Sequence, residues 1–183
     1  MHDCLILVDL QNDYFPGGTM ELVGIEEAAA NAQALLNEFR KKKAHIIHIQ
    51  HISARPGATF FLPETDGAKI NQLVTPHADE TVIVKNFPNS FRGTSLLEIL
   101  KKEMTDQLVI CGAMSHMCID ATTRAAFDLG FSCNVAEDAC ATKDLVFKGR
   151  TIQASAVHAS FMAALSVPYA TVISTNEIIE SRV

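Results

Sequence analysis

The sequence predicts a doubly wound, Rossmann-like α/β fold, in which a mostly parallel six-stranded sheet carries helices on both faces. Short β-branched, apolar runs alternate with longer stretches whose apolar residues recur at helical spacing. Such alternation is typical of a parallel sheet that is covered on both faces. No internal repeat, low-complexity tract or linker interrupts it, so residues 1–183 are predicted to form a single domain.

Local patterns place each element along the chain. The six predicted strands are CLILV (4–8), HIIHI (45–49), TVIVK (81–85), LVICG (108–112), CNVAE (133–137) and ATVIS (170–174). The four predicted helices span residues 25–41, 94–102, 115–129 and 148–165. Thr94 is a favourable residue for opening the second helix, and Gly130 for ending the third.

Residues 51–79 are the exception, because they contain three of the six prolines and no long periodic pattern. A connection of this length is usually functional or mobile. We therefore expect a loop or lid, and the sequence leaves open whether it closes its own site or that of a neighbouring subunit.

The composition argues against nucleic acid as a partner, since the net charge is −6 and the densest basic stretch, residues 40–43, falls at a predicted helix end. No apolar run approaches the length of a membrane span. Residues 1–3 lead directly into a strand without a signal sequence, so we expect no membrane association and a cytoplasmic location. The five cysteines include no C-x-x-C pair, which favours reduced thiols.

Three polar residues stand where predicted strands end. Asp9 follows the first strand, Lys85 closes the third, and Cys118 lies just beyond the fourth. In doubly wound sheets ligands bind outside the carboxyl ends of the strands, near the point where strand order reverses. Neither a G-x-G-x-x-G nor a P-loop pattern is present, which argues against binding of a dinucleotide or of nucleotide phosphates.

These three residue types are chemically matched. A cysteine attacks only as the thiolate, and we expect the first turn of a helix capped by Ser115 to favour negative charge on Cys118. Lys85 would stabilise that thiolate, and Asp9 would accept the thiol proton and pass it to a leaving amine. Each residue alone has an ordinary structural explanation, but three matched groups on one edge favour catalysis.

Three segments resemble motifs of the isochorismatase-like cysteine hydrolase superfamily, whose members include nicotinamidases and carbamoylsarcosine amidases. They are DLQNDYFPGG (9–18), VKNFPNSFRGTSL (84–96) and GAMSHMCIDATTRAAFDLGF (112–131). The resemblance runs along nearly the whole chain. It implies that Asp9, Lys85 and Cys118 form a catalytic triad. It also implies a cis peptide bond between Ala113 and Met114, and an oxyanion hole formed by the N–H groups of Met114 and Cys118.

Two departures from the patterns of this superfamily narrow the expected chemistry. Nicotinamidases carry an Asp-x-His metal motif after the second strand, where this chain reads Gln50-His51-Ile52. His45 and His48 alternate with apolar residues inside a strand, so we predict no metal and no other cofactor. Isochorismatases proper use an aspartic acid on an enol ether and typically lack the cysteine, so Cys118 favours the amidase branch.

Aromatic and polar side chains near these motifs are candidate substrate contacts. Several phenylalanines suggest an apolar pocket that carries a few polar groups. The predicted contact residues are Gln11, Phe15, Gln50, Phe60, Phe61, Phe91 and His116.

We therefore expect a cofactor-independent cysteine hydrolase that cleaves a C–N bond of a small amide, lactam or ureido compound through a thioester. Two alternatives remain open. One is a vinyl-ether hydrolase that uses Asp9 as general acid, and the other is a non-catalytic binding or scaffold protein that keeps the fold. The resemblance also implies that the chain forms a homo-oligomer, either a dimer or a tetramer. The expected ligand is a small-molecule substrate.

Overall fold

A parallel sheet of six strands forms the centre of the computed structural model, which describes residues 2–181. The strands are β1 (Asp3–Val8), β2 (His45–His51), β3 (Thr81–Lys85), β4 (Gln107–Ala113), β5 (Ser132–Ala141), β6 (Leu145–Phe147), β7 (Arg150–Ile152) and β8 (Thr171–Ile173). The sheet has the order β3-β2-β1-β4-β5-β8, and every neighbouring pair in it is parallel. The order reverses direction between β1 and β4, which confirms the predicted doubly wound fold.

Helices cover both faces of this sheet. They are α1 (Ile25–Lys41), α2 (Leu96–Lys102), α3 (Asp120–Asp128), α4 (Ala154–Leu165) and α5 (Thr175–Glu180). Successive side chains of β1 point to opposite faces, so Leu5 and Leu7 pack in the hydrophobic cluster that contains α1. Ile6 and Val8 pack in the second cluster, with residues of α2, α3 and α4. All five cysteines are buried and free, as expected for reduced thiols.

The region after β5 differs from the prediction of one long helix over residues 148–165. Its first part, through Ile152, forms the antiparallel hairpin β6–β7, and α4 begins only at Ala154. Lys148 and Gly149 connect the two strands, both with positive φ (50° and 75°), a backbone conformation that favours tight hairpin turns. Asp144 then accepts a hydrogen bond from the N–H of Ala154 and so stabilises the start of α4.

The helix after β4 also begins differently from the prediction. Residues Ser115–Ile119 form one π-helical turn, and the α-helix α3 starts at Asp120. Ser115 does not act as an N-cap, because its hydroxyl donates to the Ala141 carbonyl and contacts Nδ1 of His158. Cys118 therefore lies in a π-helical turn, a form of backbone that often occurs at functional sites.

The predicted loop over residues 51–79 packs against the carboxyl end of its own sheet. It contains two short 3-10 turns, Asp66–Ala68 and Gln72–Val74, and Ile70 pairs with Gln11 in an isolated bridge. The buried carboxylate of Asp13 holds the loop, because it accepts hydrogen bonds from the Phe61 N–H and from the Thr19 side chain. This segment is therefore a fixed wall beside the carboxyl ends of β1 and β2.

Gly112 lets β4 pass close to β1. Its φ is +123°, and a Cβ at this position would collide with the carbonyl group of Val8. Glycine is therefore required here, near the end of β4 and before the turn that carries Cys118. Among residues 2–181, no helix combines the length and apolarity needed to cross a membrane.

Candidate active site

The carboxyl ends of β1, β3 and β4 bring Asp9, Lys85 and Cys118 into contact. The Lys85 ammonium Nζ lies 2.7 Å from Oδ2 of Asp9 and 3.2 Å from Sγ of Cys118. All three residues are at most 3% exposed. The three side chains that the sequence predicts at one edge of the sheet therefore form a single hydrogen-bonded cluster.

Unusual backbone conformations position two members of this cluster. Asp9 has a φ of 53°, in the left-handed region that few residues other than glycine adopt, immediately after β1 ends. Its N–H donates to the carbonyl of Ile49 in β2. The peptide bond between Ala113 and Met114 is cis, and the carbonyl of Met114 accepts hydrogen bonds from the N–H groups of Met117 and Ile119 around Cys118.

Electrostatics keep the lysine charged and the cysteine neutral at rest. Burial alone would lower the pKa of Lys85, but the neighbouring Asp9 carboxylate raises it above its ordinary value. Burial raises the pKa of the Cys118 thiol, Asp9 raises it further, and Lys85 offsets only part of this. The expectation of an acidic thiol at a helix start is therefore wrong for this resting state, since burial and the Asp9 carboxylate outweigh the effect of the Lys85 ammonium on the pKa of Cys118.

His51, which the sequence analysis considered only as a metal ligand, is a fourth member of the cluster. Its Nδ1 lies 2.9 Å from Nζ of Lys85 and 3.9 Å from Oδ2 of Asp9. Burial and then Lys85 lower the pKa of His51, so the ring is neutral near pH 7. Its position at a strand end could have identified His51 as a member of the site, because it ends β2 and pairs in register with Lys85 at the end of β3.

Three residues of this cluster have side chains that could bind a metal ion. Asp9, His51 and Cys118 offer ligand atoms that lie within 4.8 Å of one another, and these residue types bind zinc in other proteins. However, the ammonium of Lys85 is within hydrogen-bond distance of all three ligand atoms. It occupies the position that the ion would need, so these residues do not fit a metal.

A small cavity of about 160 Å³ lies beside the cluster and is lined by His51, Phe60 and Met117, the residue before Cys118. Of the predicted contact residues, Phe60 lines this cavity. Gln11 does not: it is fully buried, its amide N–H groups donate to the carbonyls of His51 and Ala68, and its oxygen accepts from the His51 N–H. Gln11 therefore fixes the end of β2, because its polar atoms are already used by the backbone.

The other predicted contact residues also have protein partners. Gln50 donates to the carbonyl of Ala68, and Nδ1 of His116 lies 2.6 Å from Oγ1 of Thr142. Phe15 and Phe61 are buried in the core cluster of α1, and Phe91 stacks on Phe131 with ring centroids 6.2 Å apart. In this structure their side chains are already engaged by packing or by hydrogen bonds within the protein.

The fold and the site together define a class: a Rossmann-like protein with a buried Asp–Lys–Cys cluster where the strand order reverses. The isochorismatase domain matches residues 3–177, and the chain belongs to the isochorismatase family of hydrolases.

Three similar proteins illustrate this relationship. The chain is 48% identical to the isochorismatase family protein YddQ of Bacillus subtilis, over 98% of this chain and 100% of that protein. A crystal structure of an isochorismatase-type hydrolase from Oleispira antarctica is 49% identical and superposes with a TM-score of 0.94, over 98% of this chain and 96% of that one. Streptothricin hydrolase of Streptomyces noursei is 33% identical over 77% of this chain and 50% of that enzyme.

Proposed function

We propose that the protein hydrolyses a C–N bond of a small amide, lactam or ureido compound, with Cys118 as nucleophile. The observation that carries this proposal is the Lys85 ammonium, which contacts both the Asp9 carboxylate and the Cys118 sulfur in a buried site. A buried lysine between a thiol and a carboxylate can stabilise the thiolate at the moment when the proton leaves.

Asp9 is the proton acceptor in this proposal. Its Oδ2 binds Lys85, whereas its buried Oδ1 makes no hydrogen bond with any residue between 2 and 181. That free oxygen can take the thiol proton as sulfur attacks the substrate carbonyl, and the N–H groups of Met114 and Cys118 would hold the resulting oxyanion.

The remaining steps follow from the same groups. When the tetrahedral adduct collapses, its C–N bond breaks, the nitrogen takes the proton from Asp9, and the acyl group stays on sulfur as a thioester. Asp9 then takes a proton from water as the hydroxide attacks the thioester carbon. The C–S bond breaks, the acid leaves, and the sulfur recovers its proton.

Two further facts support the proposal, the first of which also argues against a permanently formed thiolate. Burial raises the pKa of Cys118, so the thiol keeps its proton until a substrate enters and Asp9 removes it. The similarity to a streptothricin hydrolase adds support for hydrolysis of a small molecule, although the chain spans only half of that enzyme.

Intact-protein mass spectrometry tests the proposal. Wild type and Cys118→Ala are incubated briefly with a panel of small amides, lactams and ureido compounds. We expect an adduct of acyl mass on wild type alone, which decays as free amine appears. Turnover by Cys118→Ala with unchanged circular dichroism would overturn the covalent mechanism.

A second candidate is vinyl-ether hydrolysis with Asp9 as general acid. The raised pKa of Cys118 is compatible with this second mechanism, because a neutral thiol takes no part in a reaction in which Asp9 alone donates the proton. The same variant separates the two candidates, since Cys118→Ala would keep vinyl-ether hydrolysis and lose amide hydrolysis.

A further inference from the structure

The cavity beside the cluster has a distinct chemical character. Its apolar walls are Phe60, Pro88 and Met117, and its polar side chains include those of Ser53 and Arg55. His51 belongs both to this cavity and to the cluster, because its ring lines the cavity while Nδ1 contacts Lys85. A substrate that fills the cavity therefore contacts His51, the hydrogen-bond neighbour of Lys85, and Met117, the residue before Cys118.

The contacts of the Lys85 ammonium determine the tautomer of His51. The Lys85 ammonium has three protons and three neighbours, namely Oδ2 of Asp9, Nδ1 of His51 and Sγ of Cys118. Because an ammonium only donates, Nδ1 must be an acceptor, and the neutral ring carries its proton on Nε2. His51 therefore offers an N–H donor at the wall of the cavity.

The cavity also carries an unbalanced positive charge. Arg55 is exposed, always protonated, and forms no ion pair with any residue between 2 and 181. Among residues 2–181 no carboxylate lines the cavity, and the side chain of Asn86 donates an amide N–H to the carbonyl of Ile52. The free polar groups at the wall are thus mainly donors, which suit an acceptor-rich, anionic ligand.

The size of the cavity limits that ligand. A volume of about 160 Å³ is close to the roughly 150 Å³ of an apolar protein cavity that holds benzene. The part of the substrate that enters it is therefore about the size of one small ring or a short chain.

We propose that the substrate is a small amide or ureido compound that also carries a carboxylate, which Arg55 binds at the mouth of the cavity. Phe60, Pro88 and Met117 would contact the short apolar part, and the Nε2 proton of His51 would bind an oxygen near the scissile bond. This inference rests on the proposed C–N hydrolase function and makes Arg55 the residue that selects the charge of the substrate.

Succinamate and succinamide test this selection, because they have nearly the same shape and differ by one negative charge. Initial rates are measured on wild type, Arg55→Gln, Arg55→Lys and the control Arg150→Gln, which changes an exposed arginine on the β6–β7 hairpin. We expect wild type to have a KM about tenfold lower for succinamate, the scale of one partly exposed charge-assisted hydrogen bond. Arg55→Gln should abolish this difference with little change in kcat, whereas Arg55→Lys should keep part of it and Arg150→Gln all of it.

The outcomes separate the two proposals. If wild type hydrolyses succinamide as well as or better than succinamate, the carboxylate inference is wrong and the C–N hydrolase function stands. If wild type turns over neither compound, calorimetry on Cys118→Ala decides the inference, because binding needs no chemistry. Succinamate that binds Cys118→Ala no more tightly than succinamide, or equally after Arg55→Gln is added, overturns it.

Discussion

Two ionic clusters, one partly and one fully buried, lie at opposite ends of the neighbouring strands β2 and β3, and they differ in how completely their carboxylates are satisfied. Near the amino end, Glu80 is bound by Arg40 through both carboxylate oxygens, at 2.6 and 2.8 Å. Oε2 of Glu80 also lies 2.9 Å from Nε2 of His48 and accepts from the His77 N–H. Both oxygens of this carboxylate have partners, and the buried atom of this cluster that has none among residues 2–181 is Nδ1 of His48, in a ring whose pKa is lowered by burial. The cluster joins α1 to the sheet and leaves no carboxylate oxygen unpaired.

The cluster at the carboxyl end is organised differently. Lys85 has a neighbour for each ammonium proton, but one oxygen of Asp9 has no partner among residues 2–181, and the Cys118 thiol is held without being ionised. Buried polar groups without partners are costly, and proteins retain them mainly where chemistry uses them. The difference teaches that an unpaired carboxylate oxygen together with deeper burial, rather than charge alone, distinguishes the candidate active site from a structural ion pair.

The largest expected effect comes from removing the central cation of the carboxyl-end cluster. Lys85→Met keeps the length of the side chain but leaves the Asp9 carboxylate buried without its ion pair, which should lower the free energy of unfolding by about 3–5 kcal/mol. Amide hydrolysis should fall by on the order of a thousandfold, because nothing would stabilise the thiolate. Urea denaturation and steady-state rates measure the two effects.

The double variant Asp9→Asn/Lys85→Met is the control for stability. It removes both charges, so it should regain most of the lost stability while remaining inactive. Activity in either variant would contradict the assigned roles of Asp9 and Lys85.

A smaller effect is expected at His51, which joins the cluster to the cavity. His51→Ala removes one acceptor of Lys85 and should lower kcat/KM by about tenfold, the scale of one lost hydrogen bond to a charged group. His51→Asn keeps a side-chain acceptor and should retain most of the activity. An alanine variant as active as wild type would show that the contact with Lys85 is not used.

The pH dependence of kcat/KM tests whether catalysis uses the contact between His51 and Lys85. Its pKa is lowered by burial and by Lys85, with Asp9 and Arg55 as the other charged neighbours, so the ring is neutral at pH 7. As the pH falls through this lowered pKa, the ring gains a proton, Nδ1 can no longer accept from Lys85, and kcat/KM should fall. This acidic limb should be absent from the pH profile of His51→Asn; an unchanged limb would assign it to another group.

The smallest effect on activity is expected at the amino-end cluster. Glu80→Gln should lower the free energy of unfolding by about 2 kcal/mol, since it weakens charge-assisted hydrogen bonds, and should leave kcat within about twofold of wild type. Arg40 and its other partners lower the pKa of Glu80 to about 2, although burial opposes them.

That lowered pKa gives the effect a defined pH window. The stabilisation by Glu80 should be complete above about pH 4.5, the ordinary value, and should disappear as the pH falls towards 2. Urea denaturation at pH 7 and pH 3 should therefore show a smaller difference between Glu80→Gln and wild type at the lower pH. Glu98→Gln, on the exposed face of α2, is the matched control; an equal loss of stability there would contradict the prediction.

Much of the molecule follows from local patterns in the sequence. The six strands of the sheet are predictable because each is an apolar run, and α1 because its apolar residues keep helical spacing over all of Ile25–Lys41. The hairpin β6–β7 was missed because its three-residue strands show no period and its Lys148-Gly149 turn was taken as part of a helix, whereas the equally short β8 lies within the apolar run 170–174. Short elements depend on their contacts rather than on their own pattern.

The sequence by itself determined the doubly wound sheet and, through the rule that ligands bind at strand ends, the edge where Asp9, Lys85 and Cys118 meet. Only the tertiary structure decided that His51 joins them, that Gln11 is used by the backbone, and that the resting thiol is neutral. The physical reason is the sequence separation of the residues that interact. Strands and helices are set by neighbours along the chain, whereas hydrogen-bond partners and the cost of burying a charge depend on residues that come together only when the sheet has formed.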